Sequence, residues 1–171
     1  MKSKLKKCLF IGAIGMFILS FPLHFLYDSI GGTPSWVGFF VPVSESVWEH
    51  LKLLFYPGII AGIYEYFCTG KKYQNFIAAK TIGILLGMAG IVISFYTYSG
   101  IIGRDFLIAD ILTYVVGVIV CEFVTWKILN SGKFSSIQNK KTSIITLLIT
   151  AILFAIYTYN PPAINIFISP V

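Results

Sequence analysis

Ser44-Glu45-Ser46-Val47-Trp48-Glu49-His50-Leu51 opens a long apolar stretch that runs on through Leu53-Leu54-Phe55-Tyr56-Pro57 to Cys68. The chain has only seven acidic residues and two histidines, and two of those acids and one histidine fall in these eight positions. Ser46 and Glu49 have the spacing of a capping box, so a helix is expected to start here. Ionisable groups at the mouth of a membrane segment are costly to keep, which makes each a functional-site hypothesis. The stretch therefore reads as a helix that enters a membrane from a polar rim.

The rest of the chain follows the same pattern. Its 171 residues are 57% hydrophobic and 12% charged, where soluble domains carry about 25% charged residues. A soluble fold could not hide this much apolar surface. The expected fold class is all-α, a polytopic membrane helix bundle in contact with the lipid bilayer. Five spans are drawn at residues 8–28, 46–68, 76–98, 106–129 and 142–159, each near the roughly 20 residues that cross the hydrocarbon core. They make one integral membrane domain over 1–171, without repeat or linker. The N-terminal lysines and the following apolar run look like a signal peptide. No small-residue cleavage site closes the run, so it is read as a retained first span.

The net charge of +6 does not point to nucleic acid, because the lysines are segregated into connectors. Lys2, Lys4, Lys6, Lys7, Lys71, Lys72, Lys80, Lys127, Lys133, Lys140 and Lys141 fall on one side of the layout; only Lys52 and Arg104 fall on the other. Positive residues concentrate on the cytoplasmic side, so the expected topology is N-in, C-out. Cys8, Cys68 and Cys121 then lie towards the cytoplasm, where thiols stay reduced, and read as small buried hydrophobes.

Several features bear on packing. Pro22 and Pro57 interrupt spans and free the carbonyls of Ile18 and Leu53. Ala79, Gly83, Gly87 and Gly90 line one side of the third span, a spacing that lets helices approach closely. Residues 29–45, with Trp36, Phe39 and Phe40, read either as an interfacial aromatic segment or as a lid over a cavity. The tail from Asn160-Pro161-Pro162 to Pro170 is expected on the outer surface.

Polar residues recur at the outer ends of the spans. Ser20, His24 and Asp28 share a face of the first helix. Glu45, Glu49, Lys52 and Tyr56 form a stripe on the second, with His50 about 100° away. Asp110 and Tyr114 share a face of the fourth. The candidate ligand-binding set is His24, Asp28, Glu45, Trp48, Glu49, His50, Asp110 and Tyr114. Two imidazoles with carboxylates suit a divalent metal, with His24, Glu49 and His50 as candidate ligands. The same three are the candidate acid, base or catalytic groups. His24 and His50 are expected within about 10 Å of each other, or sharing a carboxylate, the reach of two side chains around one bound ion. The plain alternative is helix-end electrostatics, in which Glu49→Gln costs about 1 kcal/mol or less. At the inner end, Glu65 is expected to snorkel towards Lys71 and Lys72. Glu122 can pair with Lys80, and a relay from Asp110 through Tyr114 to Glu122 must cover about 18 Å.

Glu45-Ser46-Val47-Trp48-Glu49-His50-Leu51-Lys52-Leu53-Leu54-Phe55-Tyr56-Pro57 resembles the signature of an uncharacterised family of small bacterial integral membrane proteins. Pro22-Leu23-His24-Phe25-Leu26-Tyr27-Asp28 is similar to that family's first segment. The resemblance implies a multi-pass protein of the bacterial cytoplasmic membrane and brings no activity with it. Three functions compete on the residues. One is binding, transport or sensing of a small ligand, ion or lipid headgroup. Another is a membrane-embedded, metal-assisted hydrolase of a lipid or isoprenoid. The third is a structural or accessory subunit. A homo-oligomer would suit a transporter with an odd number of spans.

Overall fold

Each apolar run folds as one long helix. The structure is a computed structural model that describes residues 2–169; Pro170, at the end of the tail, lies outside the described residues. The helices are α1 (Lys2–Ser29), α2 (Val47–Cys68), α3 (Phe76–Ile102), α4 (Leu107–Ser131) and α5 (Ile137–Tyr159). Single 3₁₀ turns form at Ser35–Phe39, Gly70–Lys72 and Asn165–Phe167. All but α2 run longer than the apolar spans drawn for them, and α2 starts one residue inside its span because Ser46 caps it. Gly103 ends α3 in the left-handed region at φ 80°, its amide donating to the Ser99 carbonyl, a conformation that costs glycine nothing.

Four helices are long and apolar enough to cross a membrane: α1 from Ser3 to Ser29, α3, α4 and α5. α2 carries Glu49, His50, Lys52 and Glu65 and is the innermost of the five, packed against each of the others. Its Leu51, Leu54, Phe55 and Ala61 form the core with Met16 of α1, Ile84, Met88 and Ile91 of α3, Val118 of α4 and Phe154 of α5. The face of α2 turned into the bundle can keep charges that its exposed face, with Ile60, Ile63 and Phe67, cannot, provided each finds a partner.

Three pairings explain how the bundle closes. First, the small-residue stripe of α3 meets α4. A Cβ on Gly83 would come within 2.6 Å of the Cys121 carbonyl oxygen, and one on Gly87 within 2.7 Å of that of Gly117. Gly87→Ala is therefore expected to destabilise by about 1–3 kcal/mol through overpacking. Gly100→Ala, with nothing within 4 Å, is expected to be neutral or slightly stabilising. Thermal unfolding in detergent compares the two; equal midpoints would contradict this packing.

Second, the carbonyl freed by Pro57 is used. Leu53 O accepts from Ser20 Oγ at 2.7 Å and from Tyr114 OH at 3.3 Å, which ties α1 and α4 to α2. α1 and α2 both run unbroken through their prolines. Third, the loop after α1 is stapled over the end of α2. Lys52 Nζ donates to the carbonyls of Gly38 (2.6 Å) and Val41 (3.2 Å), and Tyr56 OH to that of Phe39 (2.8 Å). Trp36 and Phe40 stay exposed on its outer side. The loop thus combines an aromatic rim with an inward-facing backbone.

Two expectations need correction at the lysine-rich end. Cys8 and Cys68 are not free small hydrophobes but a disulfide, with Cα atoms 6.2 Å apart. α2 returns antiparallel along α1, so the first turns of one meet the last turn of the other, within the usual reach of a disulfide. Cys121 alone is free and buried. Glu65 does not snorkel either. It is fully buried, and Lys80 Nζ donates to its Oε1 at 2.8 Å and to Glu122 Oε1 at 2.6 Å.

Candidate functional site

Local geometry at the lysine-poor end begins with Ser46. It caps α2 by accepting the Glu49 amide at 3.3 Å. The capping box is only half formed, because the Glu49 carboxylate turns elsewhere. His50 lies one turn into the helix, and its Nδ1 is 2.9 Å from the Ser46 carbonyl. A carbonyl only accepts, so Nδ1 carries the proton and Nε2 presents a lone pair. This is the orientation that a backbone partner imposes on a metal-binding histidine.

His24 reaches the same point from α1. The two Nε2 atoms are 2.9 Å apart, and the rings lie 4.9 Å apart between centroids. Glu45 precedes α2, so it does not follow the helical stripe assigned to it from spacing. Its carboxylate swings beside the imidazoles instead, with Oε2 3.5 Å from His50 Nε2 and 3.9 Å from His24 Nε2. His24, Glu45 and His50 are thus a set of three ligand atoms around one point. A tetrahedral ion with bonds of about 2.1 Å needs ligand atoms about 3.4 Å apart, and the three separations bracket that value. His24 Nδ1 is buried without a partner among the described residues, so His24 is held less firmly than His50.

The metal set read from sequence contained Glu49; in the structure it is the Glu45 carboxylate that lies beside the two imidazoles. The Glu49 carboxylate accepts from the Val43 amide (2.9 Å), Lys52 Nζ (2.7 Å) and Thr158 Oγ1 (2.9 Å). Glu49 and Lys52 are both buried, so this is an internal ion pair and not a ligand group. Trp48 faces away into a cluster with Phe154, Tyr157 and Phe167. Asp28 is exposed. Asp110 accepts from Tyr98 of α3. Tyr114 lies deeper, bonded to Ser20 and the Leu53 carbonyl, so it does not hand a proton from Asp110 towards Glu122. Thr158 and Tyr98 were missed in the sequence. They are ordinary residues of apolar helices, and only the packing of α5 and α3 gives them partners.

The model of a family of unknown function (DUF6512) matches residues 1–171. No curated protein and no solved structure matches the chain. The chain therefore belongs to the DUF6512 family, a family of unknown function, and is an all-helical protein with four helices apolar enough to span a membrane.

Proposed function

We propose that this is an integral protein of the bacterial cytoplasmic membrane that binds a divalent transition-metal ion, for uptake or sensing, through His24, Glu45 and His50. The observation that carries the reading is the meeting of the two imidazole Nε2 atoms 2.9 Å apart beside a carboxylate. Three protein ligands leave a fourth position open, as in sites that exchange a ligand and unlike closed structural sites. The Glu45 side chain is 67% exposed, against 28% and 30% for the histidines. A ligand that can swing into water favours reversible capture. The metal-assisted hydrolase reading has the same open position in its favour. It predicts turnover of a lipid ester or isoprenoid by the metal-loaded protein.

Cobalt(II) titration of the purified protein, followed by its ligand-field absorption, tests the site. Wild type is expected to bind, and binding is expected to weaken as pH falls because protons compete for the imidazoles. His24→Ala and His50→Gln are each expected to weaken binding by more than about 100-fold, the upper end of what outer-shell changes cost. Unchanged binding in both would reject the site.

The topology belonging to this reading is five spans, N-in and C-out, with the histidine cluster at the outer face. Lysine segregation supports it. In a variant lacking Cys8, Cys68 and Cys121, Ser135→Cys is expected to resist a membrane-impermeant thiol reagent in intact cells and Thr33→Cys to react. The reverse labelling pattern would count against N-in.

A further inference from the structure

A second set of ionisable groups lies at the other end of the core, apart from the histidine cluster. Glu65 of α2 and Glu122 of α4 both accept from Lys80 of α3, and all three side chains are shielded, at 0%, 11% and 5% exposure respectively. α1 contributes only a notch here: a Cβ on Gly12 would collide with the Glu65 carboxylate. Cys121 of α4, free and buried, immediately precedes Glu122 in the chain. Thr125 of α4 is occupied, donating to the Cys121 carbonyl at 2.8 Å. Two carboxylates thus share one ammonium. Their remaining oxygens, Glu65 Oε2 and Glu122 Oε2, are buried without a partner among the described residues.

We infer that Glu65, Lys80 and Glu122 form an internal proton-binding site that takes up and releases one proton on the carboxylate pair. With all three groups ionised, the site carries one uncompensated negative charge in a low-dielectric core, which is costly. A proton delivered from water adds to one of the unpartnered oxygens. The site becomes neutral. Release reverses the step. Glu122, the least enclosed member, is the entry point, from the lysine-rich end. Met16, Leu54 and Ile84, all fully or almost fully buried, seal the core between this site and the histidines. The two sites therefore exchange with opposite ends of the bundle.

Infrared difference spectroscopy of the full-length protein in lipid nanodiscs, stepped between alkaline and mildly acidic buffer, reads the proton directly. A protonated-carboxyl C=O band is expected, shifted by D2O and lost in both Glu65→Gln and Glu122→Gln. Should either glutamine variant fail to fold, Glu65→Asp and Glu122→Asp keep the acid, and each is expected to shift the band. Absence of the band in wild type overturns the inference. So does a band of full intensity and unchanged position in the folded variants. Metal binding at the histidines is not required for either result.

Discussion

Lys80→Met will destabilise the protein by about 3–5 kcal/mol, the usual cost of removing one partner from a buried charge cluster. Lys80 is 4% exposed and donates to Glu65 and Glu122 from different helices. Methionine fills much of the same volume, so the loss is not one of packing. It leaves two acidic groups facing each other without a cation. The cluster also links α2, α3 and α4, so its loss loosens the bundle where the disulfide holds only α1 to α2. The combined variant Glu65→Gln, Lys80→Met, Glu122→Gln removes every charge and is expected to recover most of the stability. Thermal unfolding in one detergent compares wild type, single and triple variants. A single variant as stable as wild type would mean that Lys80 does not bridge the two acids.

Glu49→Gln and Glu45→Gln will have opposite consequences, although the residues lie four apart. Glu49→Gln will cost about 3–5 kcal/mol, because it strips the counter-ion from a buried Lys52. Lys52 keeps the carbonyls of Gly38 and Val41 and the Thr158 hydroxyl as acceptors, but none is charged. The value of about 1 kcal/mol expected from a helix-end acid is replaced because Lys52 is fully buried and not at the surface. Glu45→Gln removes an exposed carboxylate and will change stability by less than about 0.5 kcal/mol, while weakening cobalt binding. Unfolding and metal titration on the same two samples separate the roles. Stability loss in Glu45→Gln with none in Glu49→Gln would reverse the assignment.

The gathering of polar groups at two ends of the bundle has a simple physical origin. Charges on a helix face turned into an apolar bundle must be paired or lie near an end. α2 does both. Glu49 and Lys52 neutralise each other under the loop, Glu65 pairs with Lys80 of α3, and His50 remains at the rim with its Nε2 towards His24. His50 is the one of these four groups that is not buried, and its Nε2 meets His24 and Glu45 at the rim.

The sequence by itself determined the elements. Apolar length, the Ser46 cap and the Gly83–Gly87 stripe are written in residues close together in the chain, so the all-helical fold, approximate helix ends and the tight face of α3 were legible. So was the presence of His24 and His50 at one end, since both lie near the connection between α1 and α2. Tertiary structure alone decided the partners. Whether Glu45 or Glu49 joins the histidines depends on where the helix begins and which way the preceding residues turn. Whether Glu65 reaches water or Lys80 depends on how α2 and α3 are rotated about their axes. Cys8 and Cys68 meet because α2 returns along α1 with a particular offset, and Tyr114 finds the Leu53 carbonyl because α4 fits against both. Rotation and offset are set by the summed packing of side chains far apart in sequence, and no local pattern records them.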